Sequence, residues 1–91
     1  MEEATRNQIV AEIREEISLH STVPSTLLIQ YDKEGAAKLD NLVKDKPFDY
    51  DTDLESRALL KNYVRYAYFG ALDEFNVRYL GELYGAQFRN L

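Results

Sequence analysis

The sequence predicts an all-α fold: a small bundle of three to four helices in one domain, residues 1–91, with an unusually long C-terminal helix. Three observations predict it. Apolar residues recur at steps of three and four through most of the chain, the spacing that places them on one face of an α-helix. The two prolines, Pro24 and Pro47, fall between the periodic stretches and not within them. Ninety-one residues, 45% hydrophobic and 30% charged, suffice for one globular domain and are too apolar for a disordered chain.

The first helix is expected over residues 5–19. Ile9, Ile13 and Ile17 recur every four residues with Val10 alongside, a narrow apolar stripe on an otherwise acidic helix that suits the outside of a bundle. The segment His20-Ser21-Thr22-Val23-Pro24 ends it, because the residue before a proline is pushed out of helical geometry. A second helix is expected over 25–44 with Ser25 as its N-cap. Leu28, Tyr31, Gly35, Leu39 and Leu42 share one face, widened by Ile29, Ala36 and Val43. Gly35 costs up to about 1 kcal/mol in a helix interior, which close approach of another backbone would offset. Residues 45–51 form a loop with Phe48 and Tyr50 tucked against the bundle.

The third segment, 53–88, opens on Thr52-Asp53-Leu54-Glu55, a capping-box pattern. Leu60, Val64, Ala67, Ala71, Phe75, Tyr79 and Leu83 then keep helical spacing without an intervening proline. One continuous helix of that length would run roughly 50 Å, whereas a globule of this size is only about 30 Å across. Either the segment breaks, between Gly70 and Val77, or it projects and lies against other subunits. Around residues 63–72 the apolar and aromatic side chains surround the helix, a pattern that calls for burial on most sides. Two short helices cover about half of such a belt, so Tyr63, Tyr66, Tyr68 and Phe69 are the candidate subunit interface.

Composition excludes several function classes. Cys is absent, which removes disulfides, thiolate nucleophiles and Cys-based zinc sites. The net charge of −5 opposes affinity for nucleic acid or anionic membrane. The longest uninterrupted apolar run, Leu27-Leu28-Ile29, is far below the roughly 18 residues that span a bilayer. The acidic first twenty residues lack the basic start and apolar stretch of a signal peptide, so a cytoplasmic site of synthesis and assembly is expected. Asp49, Asp51 and Asp53 have the opening spacing of a calcium loop, but Leu54 and Leu60 stand where that loop needs Gly and Glu, so they are expected to serve a helix N-terminus. His20 beside Ser18, Ser21 and Ser25 lacks an orienting acid or a nucleophile elbow. No enzyme and no cofactor is expected. Arg57, Lys61 and Arg65 form a basic stripe that is either a solvated face supported by an Asp53–Arg57 pair or a contact for a protein partner.

The run Ser56-Arg57-Ala58-Leu59-Leu60-Lys61-Asn62-Tyr63-Val64-Arg65-Tyr66-Ala67-Tyr68-Phe69-Gly70-Ala71-Leu72-Asp73-Glu74-Phe75, continued by Tyr79, Leu80 and Leu83, resembles the small head–tail connector (adaptor) proteins of long-tailed bacteriophages and prophages. Leu27, Leu28, Tyr31, Gly35, Leu39 and the loop carrying Phe48 are similar to that family's preceding helix, so the resemblance covers roughly residues 25–88. It implies an all-helical subunit of a ring of about twelve to thirteen copies beneath the portal protein. Such a ring lets DNA pass without specific binding and offers a platform to a downstream head-completion or stopper protein. Its place would be the virion head–tail junction, with no membrane involved. The resemblance also assigns Tyr79, Leu83, Tyr84, Phe88 and Arg89 to the portal side. In a different class, the chain is similar in size and in its Leu-, Asn- and Tyr-rich third helix to monomeric immunity proteins against peptide bacteriocins. A small helical regulator or inhibitor carried by a phage is a third reading.

Overall fold

A computed structural model describes residues 1–18, 22–43 and 47–89, and among them it contains five α-helices and no strand. These are α1 (Glu3–Glu16), α2 (Ser25–Asp40), α3 (Leu54–Tyr68), α4 (Leu72–Arg78) and α5 (Leu80–Arg89). The all-helical class is as the periodicity requires. The single long C-terminal helix is not: that segment is three short helices.

α1 buries Ile9, Val10 and Ile13, with Ile17 packed at the core's edge. It starts two residues earlier than periodicity indicated, at Glu3, and Thr5 docks it to the connection before α3, its hydroxyl donating to both carboxylate oxygens of Asp51 at 3.0 and 2.9 Å. It ends at Glu16, where Ser18 takes a left-handed backbone (φ 52°). Pro24 therefore does not terminate α1; it is the N-cap residue of α2, with Ser25 already helical. The Ser25 hydroxyl instead accepts from Arg14 at 3.2 Å. Leu19, His20 and Ser21 lie outside the described residues, as does Lys44 at the expected end of the second helix.

α2 lies against α3 through Leu28, Ala36 and Leu39. Gly35 lies directly against α3. A Cβ there would stand 2.6 Å from Tyr63 Cδ1 and 2.8 Å from Leu60 Cδ1, so the glycine makes room for side chains of α3 and not for another backbone. Asp32, on the same helix, is fully buried. Its Oδ2 accepts from Arg6 Nε of α1 at 2.6 Å, while Oδ1 has no hydrogen-bond partner among the described residues. Burial raises the Asp32 pKa despite Arg6, a sign that this ion pair fixes the α1–α2 register at an energetic cost. Phe48 and Tyr50 of the connection to α3 are buried as expected, and the Tyr50 hydroxyl donates to Asp40 Oδ1 at 3.1 Å.

The cap of α3 is shifted by one residue from the capping-box reading. Asp53 is the N-cap, accepting from the Ser56 amide at 3.2 Å and the Ser56 hydroxyl at 2.7 Å. The C-terminal end is set by glycine. Gly70 sits at φ 69°, its N–H donates to the Ala67 carbonyl (3.1 Å), and the Ala71 N–H reaches back to the Tyr66 carbonyl (2.8 Å). That pair of bonds is a Schellman stop, which needs a residue free to adopt positive φ. The chain then reverses, and α4 and α5 return along α3. Phe75, fully buried, packs edge-on against Tyr63 (5.4 Å between centroids, 84°) and Tyr66 (5.9 Å), with Tyr79 completing the cluster. Leu83 and Ala86 bury the inner side of α5, and Arg89 ends beside Glu55, Asp53 and Ser56 at the start of α3. With this return the molecule measures 40 × 28 × 17 Å, shorter than the rod a continuous helix would make.

The glycines give a direct stability test. Gly35→Ala overpacks the α2–α3 contact and is expected to lower unfolding free energy by about 1–3 kcal/mol. Gly85→Ala, where a Cβ meets nothing within 4 Å, is expected to raise it by up to about 1 kcal/mol. Urea denaturation of both variants at low protein concentration checks the pair.

Candidate interaction surface

Most of the polar residues singled out in the sequence have structural duties. Asp49 Oδ1 accepts from the amides of Asp51 (3.0 Å) and Thr52 (3.3 Å), Asp51 holds Thr5, and Asp53 caps α3. Among the described residues no group of three His, Cys, Asp or Glu side chains is arranged to hold a metal ion. His20 and Ser21 lie outside those residues.

The basic stripe is not a solvated face. Arg57 is only 8% exposed and turns inward, donating to both oxygens of Glu12 on α1 and to the Tyr50 carbonyl at 3.1 Å. Its expected partner Asp53 is engaged with Ser56 and Arg89 instead. Lys61 bridges to Glu16 at 2.7 Å and Glu12 at 3.3 Å. Together they strap α3 to α1. Arg65, half-buried, donates to Asn62 Oδ1 at 2.7 Å. The hydrogen bond from Arg57, reinforced by Lys61, holds the Glu12 carboxyl below the usual range against a smaller opposing effect of burial. Burial pushes the Asp53 carboxyl up, but the bonds from Ser56 outweigh it and the net shift is down.

The aromatic belt divides. Tyr63 is inside the molecule, sheltered by Phe75, and has no surface to give a neighbour. Tyr66 is half-buried, its hydroxyl accepting from Arg78 at 2.9 Å. Tyr68 is half-buried and stacks edge-on with Phe69 at 5.0 Å. Phe69, at the α3–α4 corner, is 63% exposed. Of the residues assigned to a portal side, Leu83 is buried, Tyr79 is half-buried in the aromatic cluster, and Arg89 pairs with Glu55. Tyr84 and Phe88 are exposed, at 56% and 74%.

These two belong to a face that sequence reasoning missed. Leu80, Tyr84 and Phe88 lie one turn apart along the outer side of α5, opposite the buried Leu83 and Ala86, and Val77 at the end of α4 is 80% exposed. Gly81 and Gly85 flank the row with nothing near them. Beside it, between α3 and α5, runs a groove of about 320 Å³ lined by Ala58, Leu59, Asn62, Tyr79 and Gly85, with the Glu55–Arg89 pair at its rim. The signal was present: spacing of four at 80, 84 and 88 marks a second face once α5 is treated as its own helix. The surroundings are electrically neutral by comparison with the rest. Residues 1–52 carry eleven acidic and six basic side chains, the whole net charge of −5, and residues 53–91 carry five of each.

No family model, curated protein or solved structure matches this chain.

The straps have a pH signature. Glu12 has a depressed pKa in the folded state, so its stabilising effect is present above its ordinary value of 4.5 and is lost as pH falls through the folded value. Asp32 acts in the opposite sense: its raised pKa favours the fold on acidification and opposes it as pH rises. Glu12→Gln is expected to flatten the fall in stability below pH 4.5, measured as the urea midpoint against pH. An unchanged slope would mean that Glu12 does not hold Arg57 and Lys61 in solution.

Proposed function

We propose that this chain is a structural subunit of a phage head–tail connector, a helical block that assembles with copies of itself beneath the portal protein and links capsid to tail. The observation that carries the reading is the apolar face of α5. A 91-residue chain has completed its core with Leu83 and Ala86, yet keeps Leu80, Tyr84 and Phe88 in water, and contiguous apolar surface of this kind marks an interaction site. Tyr84 and Phe88 are also among the residues that the resemblance to connectors assigns to the portal side. Phe69, at the far end of α3, offers a separate apolar contact for a neighbouring copy. Concentration of the negative charge in residues 1–52 suits a conduit that lets DNA slide past without gripping it. Such a protein needs no cofactor and catalyses nothing, and no helix among the described residues is long and apolar enough to cross a membrane.

One observation favours a second reading. The stop at Gly70 creates a distinct fourth helix, a feature of the bacteriocin immunity proteins that a continuous rod would lack. The two separate cleanly by experiment. A connector subunit co-purifies with the portal protein of its own genome and gives ring-shaped particles in electron micrographs of the mixture, and Phe88→Glu reduces portal retention without lowering the melting temperature. No binding to that portal under any condition contradicts the connector reading, and survival of a sensitive strain expressing the chain against a peptide bacteriocin supports the alternative.

A further inference from the structure

The outer face of α5 has a pattern of large and small residues that is complementary to itself. We propose that in the free protein α5 pairs with α5 of a second copy, antiparallel across a two-fold axis, with Tyr84 and Phe88 of each copy seated on Gly85 and Gly81 of the other. An antiparallel pair whose axis passes between residues 84 and 85 places Tyr84 opposite Gly85 and Phe88 opposite Gly81, twice over by symmetry. Each ring thus meets a bare stretch of backbone, and both glycines have open space where a side chain would stand. A parallel pair sets aromatic against aromatic and glycine against glycine, and has no such fit.

The helix dipoles favour the same arrangement. Antiparallel pairing sets the N-terminal end of one α5 beside the C-terminal end of the other, which parallel pairing does not. The acidic load of the protein lies in residues 1–52, which leaves this as a surface where two copies approach without strong repulsion. The area fits a weak pair. Tyr84 and Phe88, with Leu80 alongside, present roughly 300–400 Å² of exposed apolar surface per copy, so a pair hides on the order of 700 Å², the size of a transient contact that forms at high protein concentration. The pairing does not rest on the connector reading, and in a connector the same face would pass from the partner copy to the portal.

Sedimentation velocity over roughly 1–500 µM protein, the range in which a contact of this size dissociates, tests it. The expected result is a monomer–dimer equilibrium, with Phe88→Glu weakening dimerisation at least about tenfold and leaving the melting temperature of the monomer unchanged. Filling the seat gives a second readout: Gly85→Leu, whose side chain meets nothing within a single copy, is expected to weaken dimerisation as well, whereas Leu54→Glu, exposed on α3, is not. A monomer throughout the range overturns the pairing and leaves the face for a different partner. A dimer indifferent to Phe88→Glu or to Gly85→Leu overturns it as well. No arm uses the portal, so failure here and failure of portal binding are separate results.

Discussion

The architecture depends on one reversal of the chain. A helix whose aromatic residues point in all directions must be covered on all sides, and 91 residues provide little material to do it. Gly70 stops α3 with a left-handed residue, and the return brings Phe75 into full burial between Tyr63 and Tyr66. Edge-to-face contacts of this kind contribute about 0.5–1.5 kcal/mol each beyond the area they bury. Without the stop, Tyr63, Tyr66 and Phe75 would lie along one rod with no shelter from α4 or α5. The same reversal fixes which side of α5 faces inward, and so which side is left over.

The remaining helices are held by charge as much as by apolar packing. Arg57 and Lys61 reach across to Glu12 and Glu16, and Arg6 reaches Asp32 in the interior. Asp32 is fully buried, so removing Arg6 would leave an uncompensated buried charge at a cost of about 3–5 kcal/mol, whereas the pairs to the partly exposed Glu12 and Glu16 contribute about 0–1 kcal/mol each. They therefore select one register of α1 on α2 and α3, which the narrow stripe of Ile9, Ile13 and Ile17 does not fix alone. Arg89 performs a similar task at the other edge, tying the end of α5 to Glu55 at the start of α3.

Periodicity within a segment was enough to place α1, α2 and the start of α3, while the comparison of rod length with globule size left a break between Gly70 and Val77 as one of two alternatives and gave no sign of the second break, at Tyr79. What local pattern could not supply was the partner of each face. Arg57 and Lys61 at spacing four look like a solvated stripe until a helix 45 residues away in sequence supplies carboxylates. The aromatic belt looks like surface for a neighbour, yet the returning chain shelters Tyr63 and leaves Phe69 exposed, a division that spacing alone does not show. The capping box read at Thr52 and Glu55 is displaced by one residue: Asp53 caps the helix through Ser56, and Glu55 turns to Arg89. Tyr84 and Phe88 were named only through the resemblance, and their row with Leu80 went unread because the spacing followed along 53–88 was that of Tyr79 and Leu83, the inward side.

The outward face of α5 follows from the reversal at Gly70, and a distance measures that reversal most directly. Spin labels at Leu54→Cys and Phe88→Cys, both exposed positions in a chain with no other cysteine, report the separation of the two ends of the segment. Because Arg89 contacts Glu55, the labels are expected within about 25 Å of each other, tethers included. A separation near 50 Å, the span of an unbroken helix over these residues, would contradict the fold-back and the outward face of α5 that follows from it.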